Sequence, residues 1–219
     1  MNPETPLRYQ FAAERRGLLI VLTIAACTGA LFTLPFQPPG ILPACLWLGA
    51  ATVFYYCVFR FFRRVQRTVF TCIPSKELFI AICFAAGIIV SIQSEFTSPL
   101  VFLHGFAMVL LFLGNCLTIS RAEAEFDSQR DNSSFFSDKR EGRALLIQAP
   151  AVIALGISLL LIGALNSPFS GGVIFTTSIA NLLICQCIRI PARLTHALSD
   201  LALLIPPLIA LLLRGILVR

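Results

Sequence analysis

Two long stretches of this chain carry no charged residue: Gly17 to Phe59 and Ala144 to Ile188. Leu78 to Ser94 and Pro99 to Ile119 are uncharged as well. About 20 consecutive apolar residues suffice for a helix to cross the hydrocarbon of a bilayer. Runs of this kind therefore restrict the chain to very few folds. Of the 219 residues 57% are apolar and 13% are charged, against about 25% charged in a soluble domain. A single soluble core cannot absorb that excess, because a chain of this size leaves much of its surface facing water. A soluble globular enzyme, a disordered protein and a collagen-like fibre are excluded. An all-α, polytopic transmembrane bundle remains, one domain over residues 1–219.

Punctuation divides the runs. Pro35, Pro38, Pro39, Gly40 and Pro43 break the first into spans 17–36 and 41–59. Residues 60–77 are basic, and 78–94 is a third, shorter span. Glu95 and Pro99 mark a turn before a fourth span at 99–119. Residues 120–143 form a polar loop. Asn166, Ser167, Pro168, Gly171 and Gly172 cut the second long run into spans five and six. Residues 189–200 read as a short polar connector. A seventh span is expected at 201–218, bent at Pro206 and Pro207. The first apolar run is too long for the core of a secretory signal and is read as a retained helix after a tail at 1–16.

Charge placement predicts the orientation. The tail and the segments 60–77, 120–143 and 189–200 hold 15 of the 17 Lys and Arg residues. The short connectors between the other spans hold none. A cytoplasmic N-terminus puts every basic segment on the cytoplasmic side of a cell (inner) membrane. The net charge of +6 is then explained by anionic lipid headgroups and needs no nucleic acid. Arg60, Arg63, Arg64 and Arg67 fit that role, with a diphosphate-binding patch as the alternative.

Seven of the eight cysteines lie in apolar segments, where a free thiol packs as a small hydrophobe. Cys185 and Cys187 do not have zinc spacing, and no second pair completes four ligands. His104 and His196 fall on opposite sides of the membrane, so no histidine-based metal cluster or triad forms. His104 is expected to be structural.

The acids are concentrated. Six of the eleven lie between residues 123 and 141. Glu123, Asp127 and Asp131 recur every four residues, which would stack them on one helical face. Such a stack is tolerated if solvated, paired with Arg121 or Arg130, or bridging a divalent cation; Mg2+ takes oxygen ligands of this kind. A solvated polar loop is the plainer alternative. Asn115, eight residues before Glu123, shares that face. It either orients a ligand near the acids or bonds a neighbouring helix.

The segment Leu113 to Asp131, LGNCLTISRAEAEFDSQRD, resembles the second acidic motif, DxxxD or DxxDxxxD, of the UbiA superfamily of intramembrane prenyltransferases. Asp127 and Asp131 match its two aspartates, and Glu123 stands one turn earlier where the family usually has Asp. Ile73 to Phe79 resembles the loop that carries a phosphate-binding lysine, with Lys76 as its counterpart. Ser199 to Pro207 looks like a late helix of the same group. The family has nine membrane helices, and its lysine loop and second motif follow the fourth and sixth. Here they follow the second and fourth, so the resemblance covers nearly the whole chain if two N-terminal helices are absent.

The resemblance implies transfer of a prenyl group from an isoprenoid diphosphate to an acceptor. Asp127, Asp131 and Glu123 would hold Mg2+, Lys76 and Arg121 would contact the diphosphate, and Asn115 would line the cavity. The family's first acidic motif, NDxxDxxxD, has no match before residue 60. A shortened member, a degenerate non-catalytic relative and a chain with an upstream start all fit that departure. A membrane scaffold or assembly partner is the alternative function. A small transporter ranks below both, since transporters place ionisable groups near mid-membrane.

Overall fold

A computed structural model gives the fold. It describes residues 11, 13–33, 36, 40–61, 75–91, 99–124, 144–165, 168–186 and 192–217. Among these there are seven long helices and no strand: α1 Arg16–Thr33, α2 Ile41–Phe61, α3 Ser75–Ser91, α4 Pro99–Ala122, α5 Ala144–Gly163, α6 Pro168–Gln186 and α7 Ala192–Leu217. Five of them, α1, α2, α4, α5 and α6, are long and apolar enough to cross a membrane. The 17 residues of α3 rise only about 26 Å, short of the roughly 30 Å hydrocarbon core. In α7 the apolar part is confined to Leu194–Ala210.

The helix limits follow local chemistry. Pro99 opens α4 and Pro168 opens α6, positions where the missing N–H would have no partner anyway. Glu77 lies in the first turn of α3, where a carboxylate complements the helix dipole. Helix α3 thus begins at Ser75, inside the segment expected to be a basic connector. Gly40 precedes α2 with φ 104°, a left-handed conformation that side chains disfavour and glycine accepts.

The seventh helix corrects the sequence reading. Residues 189–200 were expected to form a connector, yet α7 runs unbroken from Ala192. No Gly or Pro occurs from Ala192 to Ile205, so nothing in the backbone stops the helix. Its polar residues instead fall at helical spacing. Pro206 and Pro207 lie inside α7 and remove the N–H groups that the carbonyls of Ala202 and Leu203 would ordinarily accept.

Packing is uneven. Within the spans, 39% of α4 and 33% each of α5 and α6 is buried, but none of α1 or α2. The core is therefore α4, α5 and α6, with α7 packed on α4 and α6, and α3 on α4. One cluster joins Ala107, Leu110 and Leu111 of α4 to Ala154 and Leu161 of α5 and Ile174 of α6. A second joins Leu117, Ile147 and Cys185. Small residues let the helices approach closely, as expected where lipid removes the hydrophobic drive between them. Trp47, Phe54, Phe102, Leu159 and Leu204 are exposed. So broad an apolar exterior suits lipid and not water.

A candidate site at the polar end of the bundle

Four helix ends meet at one end of the bundle. The start of α3 and the end of α4 are side by side there, with the end of α6 and the start of α7. Glu77 of α3 is buried and accepts a hydrogen bond from Ser120 Oγ of α4 at 2.7 Å. Asn115, also buried, donates from Nδ2 to Asp200 Oδ1 of α7 at 3.3 Å. Its Oδ1 accepts the hydroxyl of the fully buried Ser199. One turn earlier on α7, His196 Nε2 lies 3.1 Å from Glu123 Oε1. Glu123 is 3% exposed, so the loop acid expected to face solvent or a cation is turned into the bundle.

Deeper in, Thr118 Oγ1 donates to Gly114 O at 2.8 Å. That uses its one proton, so the Cys185 thiol, 3.0 Å away, is the donor to Thr118. Cys116 faces the same region, within electrostatic reach of Glu77, Asp200 and Lys76. Half-buried Lys76 opens α3, and exposed Arg121 stands in the last turn of α4.

The predicted site residues are thus partly gathered. Asn115, Glu123, Arg121 and Lys76 lie on the facing ends of α3 and α4. Asn115 bonds a neighbouring helix, one of the two roles expected for it. Asp127 and Asp131 lie outside the described residues. Among the described residues no group of three His, Cys, Asp or Glu side chains is placed to hold a metal ion. Of the buried carboxylates, Glu77 bonds Ser120 and Glu123 lies against His196.

Glu77, His196, Ser199 and Asp200 were not singled out from sequence as partners of this cluster. Their signal was present: His196, Ser199 and Asp200 stand at i, i+3 and i+4, the spacing of one helix face. The polar composition of 189–200 reads equally as a short connector. His104 has the expected structural role at the other end. Its Nδ1 donates to Leu100 O at 2.6 Å, which fixes the tautomer, and its Nε2 accepts the Ser170 hydroxyl at 2.7 Å. The described cysteines, Cys27, Cys45, Cys57, Cys83, Cys116 and Cys185, are free thiols, of which Cys185 is buried; Cys72 and Cys187 lie outside the described residues.

No family model, no curated protein and no solved structure matches the chain.

Proposed function

We propose that this chain is a multi-pass inner-membrane protein with a cytoplasmic N-terminus, which binds an isoprenoid diphosphate at the polar end of its bundle and transfers the prenyl group to an acceptor, in the manner of the UbiA superfamily. One observation carries this reading. Charged and hydrogen-bonding groups of α3, α4 and α7 converge at one end of a bundle of largely apolar helices, and in sequence the acid-rich segment follows directly on α4. An amphiphile with an anionic head and an apolar chain matches that polarity.

In this reading Lys76 and Arg121 supply positive charge to the diphosphate, and the prenyl chain lies along the apolar spans, away from water. Mg2+, when bound, would neutralise charge on the departing diphosphate. Asp127 and Asp131 are the acids proposed for it. The test is transfer from a radiolabelled prenyl diphosphate in membranes containing the chain. Transfer is expected from the natural sequence and lost in Asp127→Ala and Asp131→Ala. Labelled product that persists unchanged in both variants removes the metal assignment.

A second reading is a non-catalytic scaffold. It is favoured by the use of Asn115, Ser199, Asp200, Glu123 and His196 in tying α7 to α4. Absence of transfer by a folded, membrane-inserted chain supports it.

A further inference from the structure

Asn181 is 2% exposed on a helix apolar enough to cross a membrane, yet neither its Nδ2 nor its Oδ1 has a hydrogen-bond partner among the described residues. An amide stranded in an apolar interior is costly, and bulk water cannot relieve it there. Natural structures nearly always satisfy such groups, if not by protein then by a bound molecule.

Its surroundings define what that molecule must be. Helices α4 and α6 run parallel, since His104 meets Ser170 and Thr118 meets Cys185, 66 and 67 residues apart. The same offset places Asn181 level with Gly114 and Asn115. Both asparagines follow a small residue, Gly114 and Ala180. Asn115 is satisfied by Ser199 and Asp200 of α7; Asn181, its counterpart, is not. At this level Gly114 leaves α4 without a side chain, and a Cβ added there would meet only Pro150 of α5, at 3.9 Å.

The nearest buried hydroxyls on α6 are already committed. Thr177 donates to Val173 O at 2.8 Å and Ser178 to Ile174 O at 2.7 Å. They retain lone pairs but no proton to give. A guest must therefore accept from Nδ2 and donate to Oδ1. An ammonium only donates and a carboxylate only accepts. A hydroxyl does both without bringing charge into the interior.

We propose that Asn181 binds a neutral hydroxyl guest inside the α4–α7 bundle, supplied by water or by the head of an amphiphile. This site is separate from the polar-end cluster and does not depend on prenyl transfer. The guest turns the orphaned amide into a stabilising contact.

The sign of one substitution tests this. Leu shares the γ-branching of Asn, has no polar atom and is the larger side chain. An amide held by a guest loses that contact on replacement, so a lowered Tm is required by the proposal, and the side-chain amide cross-peaks complete the test. Asn181→Leu in detergent is expected to lower Tm, by about 3–5 °C for each tenfold loss in folded-state preference. A raised or unchanged Tm overturns the proposal. Farnesol as a probe separates the sources: a Tm increase in the natural sequence that Asn181→Leu abolishes identifies an amphiphile, and no increase identifies water. A second measurement needs no leucine variant. With selective 15N-asparagine labelling, the Asn181 side-chain amide, identified by its loss in Asn181→Gln, should show a cross-peak to water or to a guest hydroxyl. Lack of both cross-peaks also overturns the site.

Discussion

Asn115 illustrates how much a single side chain can decide. Its amide accepts from Ser199 and donates to Asp200, so one residue of α4 fixes two consecutive residues of α7. Replacing it with Leu leaves the hydroxyl of the fully buried Ser199 without its acceptor. The expected cost is about 1–3 kcal/mol, read as a lower Tm by thermal unfolding in detergent. Glu123 and His196 make the second tie, at 3.1 Å. A double-mutant cycle with Glu123→Ala and His196→Ala should give a coupling of about 0.5–3 kcal/mol. Strictly additive losses would mean that the two side chains do not interact. The sequence contained all these residues, and acid spacing drew attention to Glu123. Spacing on one helix cannot name a partner 73 positions away on another.

Close approach governs the helices as units. A Cβ at Gly171 would lie 2.6 Å from Ile162 Cγ1 and 3.1 Å from the backbone oxygen of Ser158. The side-chain end can move, but the backbone of α5 cannot without separating the helices. Gly171→Val should therefore destabilise the α5–α6 hairpin by about 1–3 kcal/mol, seen as a Tm loss. Gly156 or Gly172, where the same atom meets nothing within 4 Å, should tolerate Ala with little change. Six helices could be anticipated from runs of apolar residues and from Pro and Gly between them. The start of α7 could not, because polar composition was taken for a turn. His196, Ser199 and Asp200 each bond a side chain at the end of α4 and lie within a continuous helix, not at a chain reversal.

For the whole molecule, orientation is the open prediction. Phosphatase fusions made after residues 95, 166 and 219 should be active outside the cytoplasm, and those after residues 130 and 190 inactive. An inactive fusion at 219, with the others as expected, would mean that α7 does not cross. That outcome matters because, among the described residues, five helices meet length and apolarity for spanning and α7 is not one of them. The unequal burial of the helices also belongs to this scale. Helices α1 and α2 have no buried residue in their spans, although Tyr55 of α2 stacks on Phe79 of α3, while α4, α5 and α6 enclose the core.

The amino-acid sequence by itself determined that this chain is helical and suited to lipid, since charge-free runs of this length can satisfy their backbone in a bilayer only as helices. It also determined where most helices end, because Pro, Gly and charge act locally on the backbone. Tertiary structure alone decided that Glu123 turns inward to His196, that α7 is bonded to α4 through Asn115, and that Asn181 is enclosed with no hydrogen-bond partner among the described residues. Those outcomes depend on which helix faces lie against one another, and helix faces are brought together by packing between segments far apart in the chain.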